Sequence, residues 1–468
     1  MASIFVEKDS VFFVGGTGTK AGTALAGGCT KDFWGNPWAP LKTLADVMSG
    51  NGFPISSAAA IGVGACDVIT NGAGKVRITK AAQGYFIDCS VGLVAYVDFV
   101  GVYVDGRYEV IDQDDDWIDI ELAYSADTTC GANVGGAFGT LQQACDATDA
   151  NTGTPHSVDI LDNKDETYTG AGDRIDIDTG GGDIAAGTWK RIIGIDDDGI
   201  ELESSEYVTI DGSSELCHVF RTWNQDNIEM RHIWAAPNAA YYGWDIDASA
   251  AHYGLNLIHC GSAGGKSAIR VDFYYRYIHF IGGKYSALEY VFNLDYPRYV
   301  SWFGVEIFSG AAFPLIYGGG LGHWLIDGCL FYKTANHDYG IKSHLITYTQ
   351  LDMVVKNSLF YNIDDCIFMG VNSGLGKLTE FNNIYVLHTA ATGLFIVRSS
   401  GSIVYSDYSC GWAIDGAPAA ADRWGDTGTL GRHAIEADPR LVDAPNGDFR
   451  LQLNSPCLKT GMPPLGQV

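Results

Sequence analysis

Short runs of alternating apolar and polar residues return again and again through the second half of this sequence, and they limit its fold more than any other feature. The series runs Val208-Thr209-Ile210-Asp211-Gly212, Ile228-Glu229-Met230-Arg231-His232, Leu255-Asn256-Leu257-Ile258-His259 and Ile278-His279-Phe280-Ile281-Gly282. It continues through Val300-Ser301-Trp302-Phe303-Gly304, Trp324-Leu325-Ile326-Asp327-Gly328 and Met353-Val354-Val355-Lys356-Asn357. Leu378-Thr379-Glu380-Phe381-Asn382 and Ile403-Val404-Tyr405-Ser406-Asp407 complete it. Starts fall roughly 20 to 29 residues apart, the period of a solenoid. Each run alternates as a strand does and ends on or beside a turn-forming residue. One such strand cannot bury its apolar face alone, but stacked on its neighbours it lines a continuous core. The pattern predicts an all-β chain built on a parallel β-helix.

Composition agrees with that reading. Glycine accounts for 59 of 468 residues, which suits a chain with many sharp corners needing positive φ. No apolar run reaches the roughly 18 residues of a membrane-spanning helix, so no membrane insertion is expected. The opening Met1-Ala2-Ser3-Ile4-Phe5 has no basic segment followed by an apolar one, so no signal peptide is expected. Net charge is −27, from 56 acidic against 29 basic residues, which argues against a nucleic-acid partner because phosphate neutralisation needs clustered Lys and Arg. The 11 cysteines are scattered without a CxxC, so neither a zinc knuckle nor a complete disulfide framework is signalled, and free structural thiols are expected.

The material before the repeat differs in kind. Residues 1–61 read as an N-terminal attachment or cap segment, with a short helix expected over Asn36 to Met48, where Pro37 sits near the start. Residues 62–131 read as a small antiparallel β-module. Its strands are expected at Lys75-Val76-Arg77-Ile78-Thr79, Leu93 to Phe99, Gly106 to Ile111 and Trp117 to Leu122, with the Asp112 to Asp116 run as a solvated turn. A second short capping helix is expected over Gly139 to Ala147, with Thr140 as N-cap. The β-helix then occupies 132–437, and 438–468, interrupted by proline, form a C-terminal cap.

Three stretches carry a resemblance. Asp438-Pro439-Arg440-Leu441-Val442, Asn446-Gly447-Asp448-Phe449-Arg450-Leu451 and Asn454-Ser455-Pro456-Cys457 are similar, in that order, to the closing segment of many right-handed parallel β-helix proteins. Thr140-Leu141-Gln142-Gln143-Ala144 resembles the helix that caps the coil in pectate-lyase-like and phage-tailspike-like members of that class. Val76 to Thr129, with Gly106, Tyr108 and Val110 and the closing Asp127-Thr128-Thr129, resembles a small module of bacteriophage structural proteins. In this chain Cys130 precedes Gly131, and Gln83-Gly84 stands where that module has His-Gly. The resemblance implies a virion protein made in a bacterial cytoplasm.

Candidates for chemistry are few. Asn362-Ile363-Asp364-Asp365-Cys366 resembles the paired aspartates of polygalacturonases, which makes Asp364 and Asp365 the catalytic candidates if the chain hydrolyses polysaccharide. Gly322-His323-Trp324 stands upstream of them, the wrong order for that family, and Asn-x-Asp-Asp in a corner more often bonds its own backbone. Asp176, Asp178 and Asp183, near Asp173, are the candidate metal ligands, with Ca²⁺ the one cofactor considered. Tyr242, Trp244, Tyr275 and Trp302 are the candidate glycan-binding aromatics, against the plainer account that such rings stack inside the coil. Recurrent histidines at 232, 259, 279, 323 and 388 read as stacked polar ladders rather than a ligand set.

These readings lead to a non-enzymatic surface protein of a tailed-bacteriophage virion, a head fibre, decoration protein or tailspike-like appendage. Expected partners are other virion proteins through the N-terminal region, a host surface polysaccharide, and two further copies of the chain in a homotrimer. The alternative is a polysaccharide hydrolase or lyase built on the same coil.

Overall fold

The computed structural model describes residues 60–80, 94–103, 106–114, 116–133, 141–142, 145, 158–162, 165–168, 175–177, 181–182, 189–194, 201–214, 217–248, 252–272, 275–319, 322–335, 338–343, 351–370, 376–388, 394–398, 403–414 and 433–460. Two compact units divide the chain: Met1–Glu166 with Ile175–Thr209 and Gln225–Ile233, and Thr167–Arg174 with Ile210–Asn224 and Trp234–Val468.

Alternation builds the first unit's barrel. In Lys75-Val76-Arg77-Ile78-Thr79, Val76 and Ile78 are buried while the residues between them keep partial access to water. Six strands, β1 (Ala60–Thr70), β2 (Lys75–Thr79), β3 (Val94–Phe99), β4 (Gly106–Asp114), β5 (Trp117–Ala123) and β6 (Thr128–Asn133), close in the order β1-β2-β5-β4-β3-β6. All their pairings are antiparallel. Closure leaves no strand edge exposed, which removes the template for edge-to-edge aggregation. The interior holds Cys66, Val68, Val76, Ile78, Val97, Phe99, Val110, Ile118, Ile120 and Cys130. On the outside, Arg77 packs 3.4 Å from the Trp117 ring centroid and clamps the nearly buried Asp119 through two bonds of 2.6 and 2.9 Å. Pattern alone does not mark strands β1 and β6, which close the barrel, because glycine and alanine dilute their alternation.

The helix expected over 36–48 lies outside the described residues. Of the second expected helix, Leu141, Gln142 and Cys145 are helical, with Leu141 and Cys145 buried. Parallel pairing begins at Val158–Asp162, which pairs with Lys190–Gly194, and that strand in turn with Ile228–Arg231.

The second unit is a parallel coil with three strands per turn. Its first sheet stacks seven strands: His252–Ile258, Tyr275–Ile281, Arg298–Phe303, Gly322–Asp327, Leu351–Lys356, Lys377–Phe381 and Ile403–Asp407. Seven of the expected runs fall here. Val208–Gly212 does not; it belongs to the second sheet, whose strands are so short that pattern alone cannot separate them from corners. The second sheet in this unit includes Gly261–Ser262, Lys284–Ser286, Glu306–Ser309, Leu330–Lys333, Leu359–Ile363, Ile384–Leu387 and Cys410–Ala413. The third includes Tyr242–Asp247, Ser267–Val271, Phe292–Asp295, Ile316–Gly319, Tyr339–Ser343, Asp365–Met369 and Leu394–Arg398.

One left-handed residue per turn makes the corner after the first sheet. His259, Gly282, Gly304, Gly328, Asn357, Asn382 and Tyr408 occupy equivalent positions with φ of 49, 61, 62, 66, 54, 60 and 57°. Gly and Asn enter this region at least cost, which explains why the runs end as they do. Successive corners are tied by backbone bonds such as Gly282 N to Phe303 O at 2.7 Å. Asparagine side chains add to them: Asn382 Nδ2 donates to Asn357 Oδ1 (2.6 Å) and Asn357 Nδ2 to Asp327 Oδ1 (2.7 Å).

Inside, side chains stack in register. One ladder runs Leu257, Phe280, Trp302, Ile326, Val355, Glu380, Ser406. Phe280 and Trp302 stack at 5.7 Å, and Trp302 meets Trp324 edge-on at 5.8 Å. Glu380 breaks the apolar run and is fully satisfied: Asn383 Nδ2 (2.9 Å), Tyr385 OH (3.0 Å), Ser409 Oγ (2.6 Å) and Ser406 Oγ all donate to it. The closing segment forms a hairpin, Leu441–Asp443 against Asp448–Leu451, followed by a 3₁₀ turn at Pro456–Thr460. It packs on the outer side of the second sheet, where Leu441, Phe449, Leu451 and Cys457 cover Leu359, Ile384, Val386 and Cys410.

Candidate functional site

Two places on the coil gather groups capable of recognition or chemistry. The first is a ladder of rings along the first sheet. Tyr253 and Tyr277 stack at 6.1 Å, Tyr277 and Tyr299 at 4.9 Å, and Tyr299 and His323 at 5.1 Å. The row continues into Asp352, whose carboxylate lies 3.5 Å from His323 Nδ1. Arg276 donates to the Tyr253 hydroxyl at 2.8 Å and sits over its ring. Arg298 stands in register beside Arg276 and is exposed. Tyr299 is 39% exposed. Tyr277 and Tyr299 have φ of 59 and 55°, and Gly254, in the same register one turn earlier, has φ 79°. A bulky side chain in that region is uncommon, and such outliers concentrate where a side chain must be aimed.

The left-handed link at Tyr277 corrects the aromatic candidates. Counting by twos outward from the inward-facing Ile278 and Phe280 puts Tyr275 outside, but the link shifts the phase and Tyr275 is buried. Trp244 and Trp302 are buried as well, because both lie in the inward phase of their strands, Trp244 stacked with Phe220 and Trp302 with Phe280. None of the three can present a face to a glycan. Tyr242 keeps partial exposure, with His218 stacked on it at 4.8 Å and the Arg270 guanidinium 5.3 Å away. The rings that do reach the surface are Tyr253, Tyr277 and Tyr299; Tyr277 and Tyr299 lie within three residues of the candidates Tyr275 and Trp302, but their facing follows from backbone φ, which sequence does not display.

The second place is an acidic corner. Asp338, Asp364 and Asp365 sit where strands of the third sheet begin. Asp365 N donates to Asp338 O, and Leu394 N to Asp364 O, both at 2.7 Å. Burial, then the neighbouring Asp364 and Asp338, push the Asp365 carboxyl up to about 6, against the Leu394 amide and Lys342, which pull it down. Lys342 Nζ lies 4.0 Å from the Tyr339 ring and 5.5 Å from that of Phe368. Asn362, with φ 59°, donates to Lys333 O at 2.8 Å and accepts from His388 Nδ1 at 2.7 Å, so it braces the corner. A carboxyl titrating near neutrality beside a second carboxyl is the pairing general acid chemistry uses.

The metal candidates are split: Asp176 lies on a described strand, while Asp178 and Asp183 lie outside the described residues. Among the described residues no three His, Cys, Asp or Glu side chains are grouped to hold a metal ion. The histidines serve separate local roles. His259 makes a corner, His388 braces Asn362, and burial holds His279 neutral, down to about 3. No helix among the described residues is long and apolar enough to cross a membrane.

Neither protein-family models nor curated proteins give a match to this chain. Among solved structures it is similar to a pectate lyase at 11% identity, over 68% of this chain and 85% of that one, with a TM-score of 0.37. The A-module of the Azotobacter vinelandii mannuronan C-5 epimerase aligns at 12% identity over 64% of this chain and 95% of that one, TM-score 0.22. The tailspike of Pseudomonas phage phi297 aligns at 11% identity over 75% of this chain and 62% of that one, TM-score 0.19. The strand registers themselves establish a parallel β-helix preceded in sequence by an antiparallel barrel.

Proposed function

We propose that this chain is a non-enzymatic surface protein of a tailed-phage virion, a head fibre, decoration protein or tailspike-like appendage. Its N-terminal region attaches it to other virion proteins, and its coil touches a host surface polysaccharide. The observation that carries the reading is the ladder Tyr253, Tyr277, Tyr299 and His323 flanked by Arg276 and Arg298. Left-handed backbone at a non-glycine residue costs roughly 1–2 kcal/mol. At Tyr277 and Tyr299 that cost places rings at the surface, where hydrophobic burial does not offset it. Rings, hydroxyls and guanidinium groups repeated along a rigid coil suit a long polyhydroxylated chain.

A Tyr277→Ala/Tyr299→Ala variant is expected to lose roughly tenfold in affinity, about 1.4 kcal/mol, for polysaccharide extracted from the host surface while keeping the same circular dichroism. Unchanged affinity removes the ladder from this reading. Mass spectrometry of purified particles tests the virion assignment, and sedimentation equilibrium tests the homotrimer that we include in it.

The raised carboxyl at Asp365 favours a second reading, polysaccharide hydrolysis at Asp364 and Asp365. In that case Asp365 donates a proton to the leaving oxygen and Asp364 acts as the ionised partner. Product release from host polysaccharide by the wild type, abolished in Asp364→Asn/Asp365→Asn, would decide for the enzyme and against the passive protein.

A further inference from the structure

Nine of the chain's cysteines fall among the described residues, and all nine are buried thiols. Four of them lie in two pairs. We infer that Cys66 with Cys130, and Cys410 with Cys457, are disulfide-forming sites that an oxidised small thiol such as glutathione disulfide converts from dithiol to cross-link.

The first pair follows from register. Cys66 on β1 stands directly opposite Cys130 on β6 in an antiparallel pairing. Directly opposed residues in such a pair have Cα atoms about 4.5–5.5 Å apart. A disulfide needs roughly 4.4–6.8 Å, so the backbone is already within range. Both side chains point into the barrel core, and their thiols are hydrogen-bonded to one another.

The second pair follows from docking. Cys410 opens the strand Cys410–Ala413 of the second sheet, on its outward side, and Cys457 lies in the 3₁₀ turn Pro456–Thr460 of the closing segment. They share one apolar cluster, and their thiols are hydrogen-bonded as well. Cys410 Sγ also donates to Ala437 O at 3.1 Å, and Cys260 and Cys329 each donate to the carbonyl two residues earlier, at 3.5 Å. Burial holds Cys329 at about 12, too high for it to ionise readily.

The chemistry balances without a metal. One protein thiolate attacks a sulfur of glutathione disulfide and releases glutathione, leaving a mixed disulfide. The second protein thiolate then displaces the remaining glutathione. Two S–H bonds become one S–S bond, and two electrons pass to glutathione disulfide, which leaves as two glutathione molecules. Each cross-link ties segments distant in sequence: the strand pair β1–β6 that closes the barrel, and the closing segment to the sheet it covers. The inference stands apart from the polysaccharide and virion readings, because it rests on register and contact alone.

The test uses the full chain refolded from denaturant in a glutathione redox buffer, so that burial does not block the oxidant. Trapped with an alkylating reagent and digested, it is expected to yield linked peptides joining Cys66 to Cys130 and Cys410 to Cys457, with four fewer alkylated cysteines than the reduced protein. Cys66→Ser is expected to lose only the first link and Cys410→Ser only the second. Should a serine variant fail to fold, peptide mapping of the wild type alone still decides. Complete alkylation of all cysteines after oxidation, or links joining other pairs, overturns the inference.

Discussion

At the level of single residues, the corner after the first sheet shows how local conformation and close approach separate. Gly283 and Gly304 both have positive φ, 85 and 62°, but their surroundings differ. A Cβ at Gly283 would lie 1.9 Å from the Cys260 carbonyl oxygen, whereas one at Gly304 would meet nothing within 4 Å. Gly304→Ala is therefore expected to cost about 1–2 kcal/mol from backbone strain alone. Gly283→Ala adds an atomic overlap that the neighbouring strand must move to relieve, and is expected to cost well beyond that. Urea unfolding midpoints of the two variants check the difference. Glu380 poses the matching polar problem. Burial raises its pKa above the usual carboxylate value, with the Ser406, Ser409, Asn383 and Tyr385 donors working against that rise. Glu380→Ala would strand several buried donors, each costing about 1–3 kcal/mol, so a loss of several kcal/mol is expected in denaturant unfolding.

At the level of elements, the same strand carries rings with opposite duties, and mutation should separate them. Trp302 is fully buried, while Tyr299, three residues earlier, is 39% exposed. Trp302→Ala is expected to destabilise by about 3–5 kcal/mol through lost burial and a cavity. Tyr299→Ala keeps the left-handed strain, which Ala bears as Tyr does, and loses only the stacking of a part-exposed ring, so it should stay within about 1 kcal/mol in stability and show its effect in polysaccharide binding. Paired thermal unfolding and binding measurements on the two variants test this separation. A Trp302→Ala variant that keeps full stability would contradict the register of the inner ladder.

At the level of the whole molecule, two carboxyls make stability depend on pH in opposite senses, one in each compact unit. Burial works to raise Glu201, but Arg231 and His232 overcome it and hold the carboxyl at about 2. Its folded pKa is below the unfolded value, so its contribution is present above pH 4.5 and fades as pH falls toward 2. Asp365 is raised instead, from 3.8 to about 6, so its contribution is present below pH 3.8 and is lost as pH rises through 6. Asp365→Asn is expected to flatten the fall in urea midpoint across that upper window, and Glu201→Gln to flatten the loss on acidification. If polysaccharide is cleaved, the activity should fall as pH rises through about 6, where Asp365 loses the proton it would donate.

Much of this could be read from the chain. Alternation returning at a solenoid period, with Gly or Asn closing most runs, implied stacked parallel strands, because only neighbours can bury so short an apolar face. Strict alternation at 75–79 and 117–122 likewise implied the antiparallel module. Most strands of the second and third sheets were not legible, since a strand as short as Gly261–Ser262 holds too few positions to show a period. Nor was the facing of Tyr275 and Tyr277, because one left-handed link shifts the phase of the strand and leaves no trace in residue order. The cysteine pairs were equally hidden: register sets Cys66 opposite Cys130, and docking of the closing segment brings Cys457 to Cys410. Sequence by itself determined that the chain would coil, since periodic burial is a property of residue order. Tertiary structure alone decided which side chains meet, since contact between distant residues depends on register, corners and packing together.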